Sequence, residues 1–255
     1  MKLSLKLNKN NFSDLLNKLQ NLSNIDDTVK MKIDQDGILL YSMLSNESAV
    51  LALKSFQLKT SEYFDNFNNS ESFDFIITNA GKFVKNLKFF NTENPIKLEI
   101  NSKKLAESDV YHVRSAVFSN GKLKISAVGG EEFKIRDLNS AGLQARLNPK
   151  LSKWKFKISK DDFSDVKKLS NINSEDKILH ITVQNGVVTI NDSTKWELEV
   201  DKITQKNEQL IFSKKYLSNI NDDKDFIEFT IFETFILIRD DSSNLMLSFE
   251  QNFEE

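Results

Sequence analysis

A strand-and-helix segment near the amino terminus is repeated later in the chain, and this repeat constrains the fold more than any other feature. Residues 5–12 read LKLNKNNF, and residues 156–163, which lie 151 positions further on, read FKISKDDF. In each copy, alternating polar and apolar residues precede apolar residues at helical spacing, which predicts a strand followed by an amphipathic helix. A repeat on this scale predicts that the chain consists of two similar halves.

Each half contains a second strand–helix unit, because KFVKNL at residues 82–87 is similar to KYLSNI at residues 215–220. The turn signals Asp-Gly and Asn-Gly separate strand-like segments within the units, as expected for hairpins. We therefore predict an α+β fold of two similar domains, each with two βαβββ units, in which one helix per unit packs on antiparallel sheets. The predicted helices are 9–22, 79–90, 160–172 and 213–221.

A segment with glycines and Pro149 interrupts this pattern between the two halves. Such a composition is typical of a connector that crosses the surface between domains. The sequence therefore predicts an amino-terminal domain at residues 1–130, a connector at 131–153 and a carboxy-terminal domain at 154–255.

The charge of the chain is unevenly distributed although the net formal charge is only −2. The four predicted helices contain ten lysines and four acidic residues, which gives them +6 and leaves −8 on the remainder. On helix 79–90, Lys85 lies nearly opposite the apolar stripe of Phe83, Leu87 and Phe90 when each residue advances about 100°. The helix lysines are Lys9, Lys18, Lys82, Lys85, Lys88, Lys160, Lys167, Lys168, Lys214 and Lys215.

These lysines suit contact with the phosphates of duplex DNA, because a flexible ammonium group binds phosphate without reading the bases. We therefore expect the lysine faces of the helices to gather on one side of the molecule, toward DNA, while the sheets present the acidic residues outward. The alternative is that each lysine face is an ordinary solvated helix surface. The excess of lysine on all four helices, against an acidic remainder, favours the DNA interpretation.

The composition excludes several classes of protein. The chain has no cysteine, so it has no disulfide, no thiolate metal site and no cysteine nucleophile. No apolar segment approaches the roughly 20 residues that a membrane helix requires, and the start MKLSLKLNKNNF lacks the apolar core of a signal peptide. We expect a soluble protein of the cytoplasm, or of the host cell cytoplasm if the protein is viral, without a membrane partner.

Few residues suit catalysis. The two histidines, His112 and His180, each lie in a strand-like segment and would need carboxylates to complete a zinc site. The aspartate pairs at 161–162, 222–223 and 240–241 are able to bind magnesium in a nuclease, but the first suits a helix amino terminus and the others suit turns. P-loop, GxGxxG and GxSxG motifs are absent from the sequence. We predict no enzyme, no cofactor and no metal, with a metal-dependent nuclease as the alternative.

The hairpin segment Gly37–Leu53, GILLYSMLSNESAVLAL, carries the most specific resemblance to a known family. It is similar to the pattern of a hairpin glycine, an alternating strand that ends in Met43, a serine two positions later and a further apolar strand. Together with the four units, the basic helices and the connector, it resembles the DNA polymerase sliding clamps. The match is to the two-domain class typified by proliferating cell nuclear antigen and the tailed-phage clamps. Leu44 stands where the family usually has aspartate, and the His-Val after the serines is missing, which favours a phage-like member.

This resemblance implies a DNA replication processivity factor. In such a protein, three protomers would close head to tail into a homotrimeric ring whose twelve helices surround duplex DNA without sequence specificity. The expected partners are double-stranded DNA, a DNA polymerase, a clamp loader and further copies of the chain. The alternative is a monomeric, clamp-like accessory subunit that holds DNA by charge instead of ring closure.

The resemblance also assigns two sets of residues. The edge strand at 122–128 would pair with the edge strand at 195–200 of the next protomer, and a pocket under the connector would bind a partner's peptide. The interface residues are Lys122, Leu123, Ile125, Val128, Trp196, Leu198 and Val200. The pocket residues are Met43, Leu143, Leu147, Leu247 and Phe249. For Met43, Leu247 and Phe249, the alternative is an ordinary place in the core.

Overall fold

The computed structural model describes the chain outside residues 36, 47–49, 66, 68–70, 91–93, 105–109, 132–134, 136–144, 146, 173–177, 185–186, 191–195, 200–207, 221–224, 240–242 and 250–255. The chain forms two compact units, residues 1–44 with 54–138 and residues 45–53 with 139–255. The change from one unit to the other after residue 138 falls inside the predicted connector, most of which lies outside the described residues.

The first half of the chain contains the two predicted units in order. The first unit consists of β1 (Lys2–Leu7), α1 (Lys9–Ser23), β2 (Val29–Ile33), β3 (Ile38–Ser45) and β4 (Val50–Leu58). The short elements α2 (Thr60–Tyr63) and β5 (Phe64–Asp65) follow it. The second unit consists of β6 (Ser72–Ile77), α3 (Ala80–Leu87), β7 (Ile96–Lys104), β8 (Val110–Asn120) and β9 (Leu123–Val128).

The second half repeats this order, so the prediction of four βαβββ units is confirmed in outline. After a 3-10 turn at Pro149–Leu151, the third unit consists of β10 (Trp154–Ser159), α4 (Lys160–Ile172), β11 (Ile178–Gln184), β12 (Val187–Ile190) and β13 (Trp196–Glu199). The fourth consists of β14 (Glu208–Ser213), a 3-10 helix (Lys214–Asn219), β15 (Phe226–Ile231), β16 (Phe235–Arg239) and β17 (Ser243–Ser248). The predicted α-helix at 213–221 is wrong in type, because this short segment with serines and asparagines sustains only the tighter 3-10 form.

The strands of the first half of the chain follow the order β4-β3-β2-β6-β8-β7-β1-β5, with β9 added on β8. The prediction of purely antiparallel sheets needs one correction, because β6 and β8 run parallel and Asp74 pairs with His112. Strand β8 has eleven residues and changes partner along its length. Residues 115–120 pair with β9, and residues 110–112 pair with β6.

A bulge marks the point where β8 changes partner. The register between β7 and β8 shifts after Asn101, which leaves Arg114 as an extra residue on β8. The Gly129 N–H donates to the Arg114 carbonyl at 2.8 Å, just beyond the end of β9. A Cβ atom on Gly129 would lie 1.8 Å from the Val113 carbonyl oxygen, so only glycine fits at this position.

Aromatic side chains join the helices to the sheets. Helices α1 and α3 pack side by side, with Phe12 stacked on Phe90 at a ring-centroid distance of 6.2 Å. Phe83 of α3 meets Phe118 of β8 edge-on at 5.4 Å. In the second half, Phe163 of α4 packs on Phe229 of β15 at 6.0 Å. The helix stripes are therefore buried on the sheets, as their apolar spacing predicts.

The duplication read from the sequence is visible in the packing. The repeated positions of the first copy, Leu5, Leu7 and Phe12, are buried, and so are Phe156, Ile158 and Phe163 in the second copy. The strand partners correspond as well, because Leu5 pairs with Leu98 while Phe156 pairs with Phe229. The two halves therefore bury equivalent residues in equivalent strand pairs.

Replacing Gly129 by alanine is expected to lower the free energy of unfolding by about 3 kcal/mol, because the methyl group has no space beside β8. Gly81→Ala is the matched control, since a Cβ there has its nearest neighbour at 3.5 Å and lies within α3. The control should be neutral or stabilising by up to about 1 kcal/mol. Urea unfolding followed by circular dichroism measures both values, and equal midpoints for the two variants would contradict this account.

Candidate nucleic-acid interface

Helix α3 presents the clearest basic face among the described residues. Phe83, Val84 and Leu87 are buried on the sheet. Lys82, Lys85 and Lys88, the three lysines of this segment, are all exposed. The burial of the apolar stripe therefore leaves a solvent-facing row of ammonium groups about one helical turn apart.

The ends of α3 are electrostatically matched to the helix dipole. At the amino terminus, the Ala80 N–H donates to the Asp27 carbonyl at 2.9 Å, and the Gly81 N–H donates to Asp27 Oδ1, also at 2.9 Å. At the carboxyl end, Lys85 lies in the last turn and Lys88 is the C-cap residue. An acidic group at the first end and cations at the second stabilise the helix, so the basic face is compatible with a stable fold.

Helix α1 has no such basic face, because its exposed positions carry amide and hydroxyl groups. Asn10, Ser13 and Asn17 are exposed. The sequence predicted that Lys18 would face DNA. Its side chain is only 11% exposed, and its ammonium group pairs with Asp14. It also lies 5.6 Å from the centroid of the Phe56 ring. Lys18 is therefore held inside the fold and leaves the candidate interface, while the side chain of Lys9 lies outside the described residues.

Asp14 serves two buried donors at once. Besides the Lys18 ammonium group, it accepts a hydrogen bond from the Tyr63 hydroxyl of α2. Burial, the hydrogen bond to Asp14 and the charges of Asp14 and Glu62 all raise the pKa of the Tyr63 hydroxyl above its usual range. The cluster ties α1 to α2 and removes Lys18 from the exposed side of α1.

The second half contributes a mixed set of lysines. Lys160 and Lys168 of α4 are exposed, although Lys168 pairs with Asp165 at 2.9 Å in an exposed and therefore weak ion pair. Lys167 Nζ donates to the Ile220 carbonyl at 2.8 Å, which ties α4 to the segment after the 3-10 helix. Lys215 is exposed and lies 5.4 Å from the Tyr216 ring centroid. The side chain of Lys214 lies outside the described residues.

An exposed aromatic residue, Phe89, was missed by the sequence reasoning. It follows Lys88 and is 78% exposed, whereas its neighbour Phe90 is buried. A signal for it exists in the sequence, because Phe89 lies four positions after Lys85 and seven after Lys82. This spacing places Phe89 on the lysine side of the helical period instead of the apolar side.

The predicted interface strands both lie at sheet edges. Strand β9 pairs with β8 alone, and β13 ends the sheet β13-β12-β11-β14, as far as the described residues show. Lys122 is exposed, Ile125 is half-buried, and Leu123 and Val128 are 42% and 75% exposed. Trp196 and Leu198 lie in β13 but their side chains are outside the described residues, as is the whole of Val200.

The predicted pocket residues occupy buried positions in their own units. Met43 is buried in the first compact unit, residues 1–44 with 54–138, and Leu147 and Leu247 are buried in the second compact unit. Phe249 is half-buried, and its N–H donates to the Thr234 carbonyl at 3.1 Å. Leu143 lies outside the described residues. These positions agree with a place in the core, and the pocket stays a prediction.

The residues considered for catalysis are held by ordinary contacts where they are described. His112 pairs with Lys103 in the β7–β8 register, and His180 Nδ1 lies 3.1 Å from Gln209 Nε2. The Asp162 N–H is bonded to Ser159 Oγ in the first turn of α4, while 222–223 and 240–241 lie outside the described residues. Within the described part of the chain, three or more potential metal ligands do not come together. None of the helices described there has the length and apolar character to cross a membrane.

Comparison with known proteins identifies the fold. No protein-family model and no curated protein sequence matches the chain. Among solved structures, the chain is similar to the DNA polymerase III beta chain of Streptococcus pneumoniae, with a TM-score of 0.64, 13% identity and coverage of 100% of this chain and 66% of that one. The chain is also similar to the Helicobacter pylori beta clamp bound to a DNA ligase peptide, with a TM-score of 0.66 and 14% identity. That match covers 97% of this chain and 65% of the Helicobacter pylori chain. A chain of the PCNA2–PCNA3 complex of Sulfolobus tokodaii matches with a TM-score of 0.59 and 10% identity. That match covers 98% of this chain and 99% of the Sulfolobus tokodaii chain.

These matches show that the chain has the fold of DNA sliding clamps, as the sequence resemblance predicted. The chain spans about two thirds of the length of the bacterial beta clamps and nearly the full length of the PCNA-type chain. The size of one chain therefore corresponds to the PCNA-type protomer.

The raised pKa of Tyr63 predicts a loss of stability in alkali. The folded protein keeps the hydroxyl proton above the ordinary tyrosine pKa of about 10, where the unfolded chain loses it. This contribution to the free energy of unfolding is therefore complete below about pH 10 and falls as the pH rises further. Urea midpoints measured across this range should fall less steeply for Tyr63→Phe than for the wild type.

Tyr111→Phe is the matched control for this experiment, because Tyr111 packs on Phe73 at 5.7 Å in the same unit. The slope for Tyr63→Phe should be shallower than the slope for this control, which lacks a tyrosine hydroxyl that does not contact Asp14. Parallel slopes for all three proteins would show that the Tyr63–Asp14 contact does not contribute.

Proposed function

We propose that this chain is a DNA polymerase processivity factor, a ring-shaped sliding clamp that encircles duplex DNA without sequence specificity and tethers polymerase and other replication proteins. The observation that carries the proposal is the exposed lysine row of α3, on a chain with the sliding-clamp fold. The role is that of an accessory protein, which binds DNA and partners and does no chemistry of its own. Its place of action is the cytoplasm, or the host cytoplasm if the protein is viral.

The geometry narrows the set of lysines proposed to face DNA. Lys82, Lys85 and Lys88 form the centre of the set, and Lys160, Lys168 and Lys215 extend it because they are exposed. Lys9 and Lys214 are retained from the sequence alone. Lys18 is excluded by its pairing with Asp14, and Lys167 by its bond to the Ile220 carbonyl.

Such contacts are suited to a sliding protein. Lysine ammonium groups neutralise phosphates and release counterions, which gives a weak attraction that is independent of sequence and sensitive to salt. A closed ring stays on DNA by topology, so weak contacts are sufficient and strong ones would slow its movement. The mobile, exposed side chains of α3 meet this requirement better than a rigid base-reading surface would.

The proposed ring is a homotrimer closed head to tail. Its support is the full-length match to a PCNA-type chain and the presence of two strand edges, β9 and β13, in each protomer. An interface between two different surfaces closes into a ring when the rotation between protomers returns to the start. Lys122, Leu123, Ile125 and Val128 would lie on one side, and Trp196, Leu198 and Val200 on the other.

The proposed partners bind through short peptides. The Helicobacter pylori clamp is bound to a DNA ligase peptide, and we infer that this chain takes similar segments from a polymerase and a clamp loader. An apolar pocket formed by Met43, Leu143, Leu147, Leu247 and Phe249 would suit such a segment. The Arg239 guanidinium, which donates to the Leu147 carbonyl at 3.2 Å, would hold one wall in place.

The oligomeric state tests the ring. Light scattering coupled to gel filtration should give about three times the chain mass of 29.4 kDa at micromolar concentration in moderate salt. A single-chain mass under all these conditions would reject the ring. If that monomer still bound circular and linear DNA equally, the charge-held accessory subunit would replace the proposal.

Lys85→Glu tests the DNA face. The substitution puts a repulsive charge on α3 in every protomer, so affinity for a fluorescent duplex of about 30 base pairs at low salt should fall roughly tenfold. Lys103→Glu is the matched control, since Lys103 is exposed on β7 and is not among the proposed DNA contacts. Equal affinities for the two variants, with both retaining the wild-type circular dichroism spectrum, would reject the assignment of α3 as the DNA face.

A further inference from the structure

The two strand edges proposed for the interface, β9 and β13, differ in charge. Lys122, in the turn before β9, and Lys124, within it, are both exposed, and residues 121–128 contain no acidic residue. Strand β13 carries Glu197 and Glu199, which alternate with Trp196 and Leu198. Lys195 precedes β13 as Lys122 precedes β9, so residues 122–128 carry +2 and residues 195–200 carry −1. One edge is therefore basic and the other is acidic on balance.

We propose that this charge difference directs assembly, because it favours pairing of β9 with β13 of a second copy and opposes pairing of like edges. The inference deepens the proposed ring and rests on it. It adds the chemistry that selects head-to-tail contact and predicts that assembly depends on ionic strength.

The duplication explains why these two edges are a matched pair. In the first half, Phe118 of β8 pairs with Ile125 of β9. In the second half, Ile238 of β16 pairs with Leu245 of β17. Because the strand pairs before them also correspond, β9 and β17 are equivalent strands, and Val128 is the counterpart of Ser248.

Strand β17 has a neighbour that β9 lacks. Within the second compact unit, residues 45–53 with 139–255, β17 lies beside the beginning of β4, and Ser248 Oγ donates to the Val50 carbonyl. Strand β4 closes the first βαβββ unit as β13 closes the third. The chain therefore forms the β17–β4 pair internally and leaves the equivalent strands, β9 and β13, at open edges. Val128 is 75% exposed, whereas its counterpart Ser248 is hydrogen-bonded to the Val50 carbonyl.

Like edges are poor partners for each other. Pairing two β9 edges would bring four lysines together with no acidic residue, and pairing two β13 edges would bring four glutamates together with only two lysines, the two copies of Lys195. Like charges on adjacent strands destabilise a pair, and lysines on an edge strand are a known protection against unwanted pairing. The β9–β13 combination instead brings a net positive edge against a net negative edge, and this combination is heterologous, as a ring requires.

Apolar groups beside β9 supply contact area for the same partner. Phe89 is 78% exposed and Leu123 is 42% exposed. Helix α3 contacts β9, and Phe89 follows the end of this helix by two residues. Exposed aromatic groups are typical of interface cores, whereas complementary charges mainly select the partner and its orientation.

Charge reversal tests the proposal. The variant Lys122→Glu/Lys124→Glu and the variant Glu197→Lys/Glu199→Lys should each associate at least about tenfold more weakly than the wild type, measured as mass against concentration by analytical ultracentrifugation. The variant that combines all four substitutions exchanges the two charges and should recover wild-type association. Wild-type association should also weaken as salt is raised.

Lys103→Glu/Lys104→Glu is the control, since it makes the same charge change at the end of β7, which belongs to neither proposed interface edge. Its association should match the wild type, and circular dichroism melting should show every variant folded. If the wild type assembles and the reversed variants assemble equally well, charge direction is rejected while the ring stands. The same rejection follows if the fourfold variant stays dissociated. A wild type that is monomeric throughout rejects the ring itself.

Discussion

Burial of the helix stripes on the sheets is the interaction on which the other features of this structure depend. Phe12, Phe83 and Phe163 each contact another aromatic side chain, and each is at least nine-tenths buried. Burying such a side chain contributes about 2–3 kcal/mol, whereas an exposed ion pair contributes about 0–1 kcal/mol. The aromatic contacts therefore decide the rotation of each helix, and the charged side of the helix follows. The lysine row of α3 is a consequence of where Phe83 must lie.

Buried charges add specificity to this packing. The Lys30 ammonium group and the Asp74 carboxylate, on neighbouring strands β2 and β6, form an ion pair at 2.8 Å with both side chains nearly inaccessible. Such a pair stabilises the fold little overall, but removing one partner leaves an uncompensated buried charge. A one-residue slip of β2 would exchange Lys30 with the core residue Met31, because alternate residues face opposite sides of a strand. The ion pair therefore helps to fix the register that sets the positions of α1 and α3.

The sequence predicted those features that depend on local periodicity. Helices α1 and α4 begin and end within one residue of their predicted bounds, because their apolar residues recur strictly at helical spacing. The parallel contact between β6 and β8 was not predicted, since it depends on a bulge at Arg114 and on the lack of space at Gly129, neither of which has a periodic signal. The burial of Lys18 was not predicted for a similar reason. Its burial depends on Asp14, four residues away, but also on Tyr63 and Phe56, which the chain brings together only in the folded state.

The edge strands of the sheets differ in how they are shielded from pairing with other strands. Strand β1 is protected by the two-residue strand β5, and β17 by the beginning of β4. Strand β9 has six residues and no neighbour beyond β8 among the described strands. An unprotected edge of this length is a site for aggregation unless charges or a partner cover it. Lysine at such an edge repels a second copy of the same edge, yet it attracts an acidic one. In the proposed ring, Lys122 and Lys124 would therefore keep free copies of the chain apart at their like edges and still permit ordered closure.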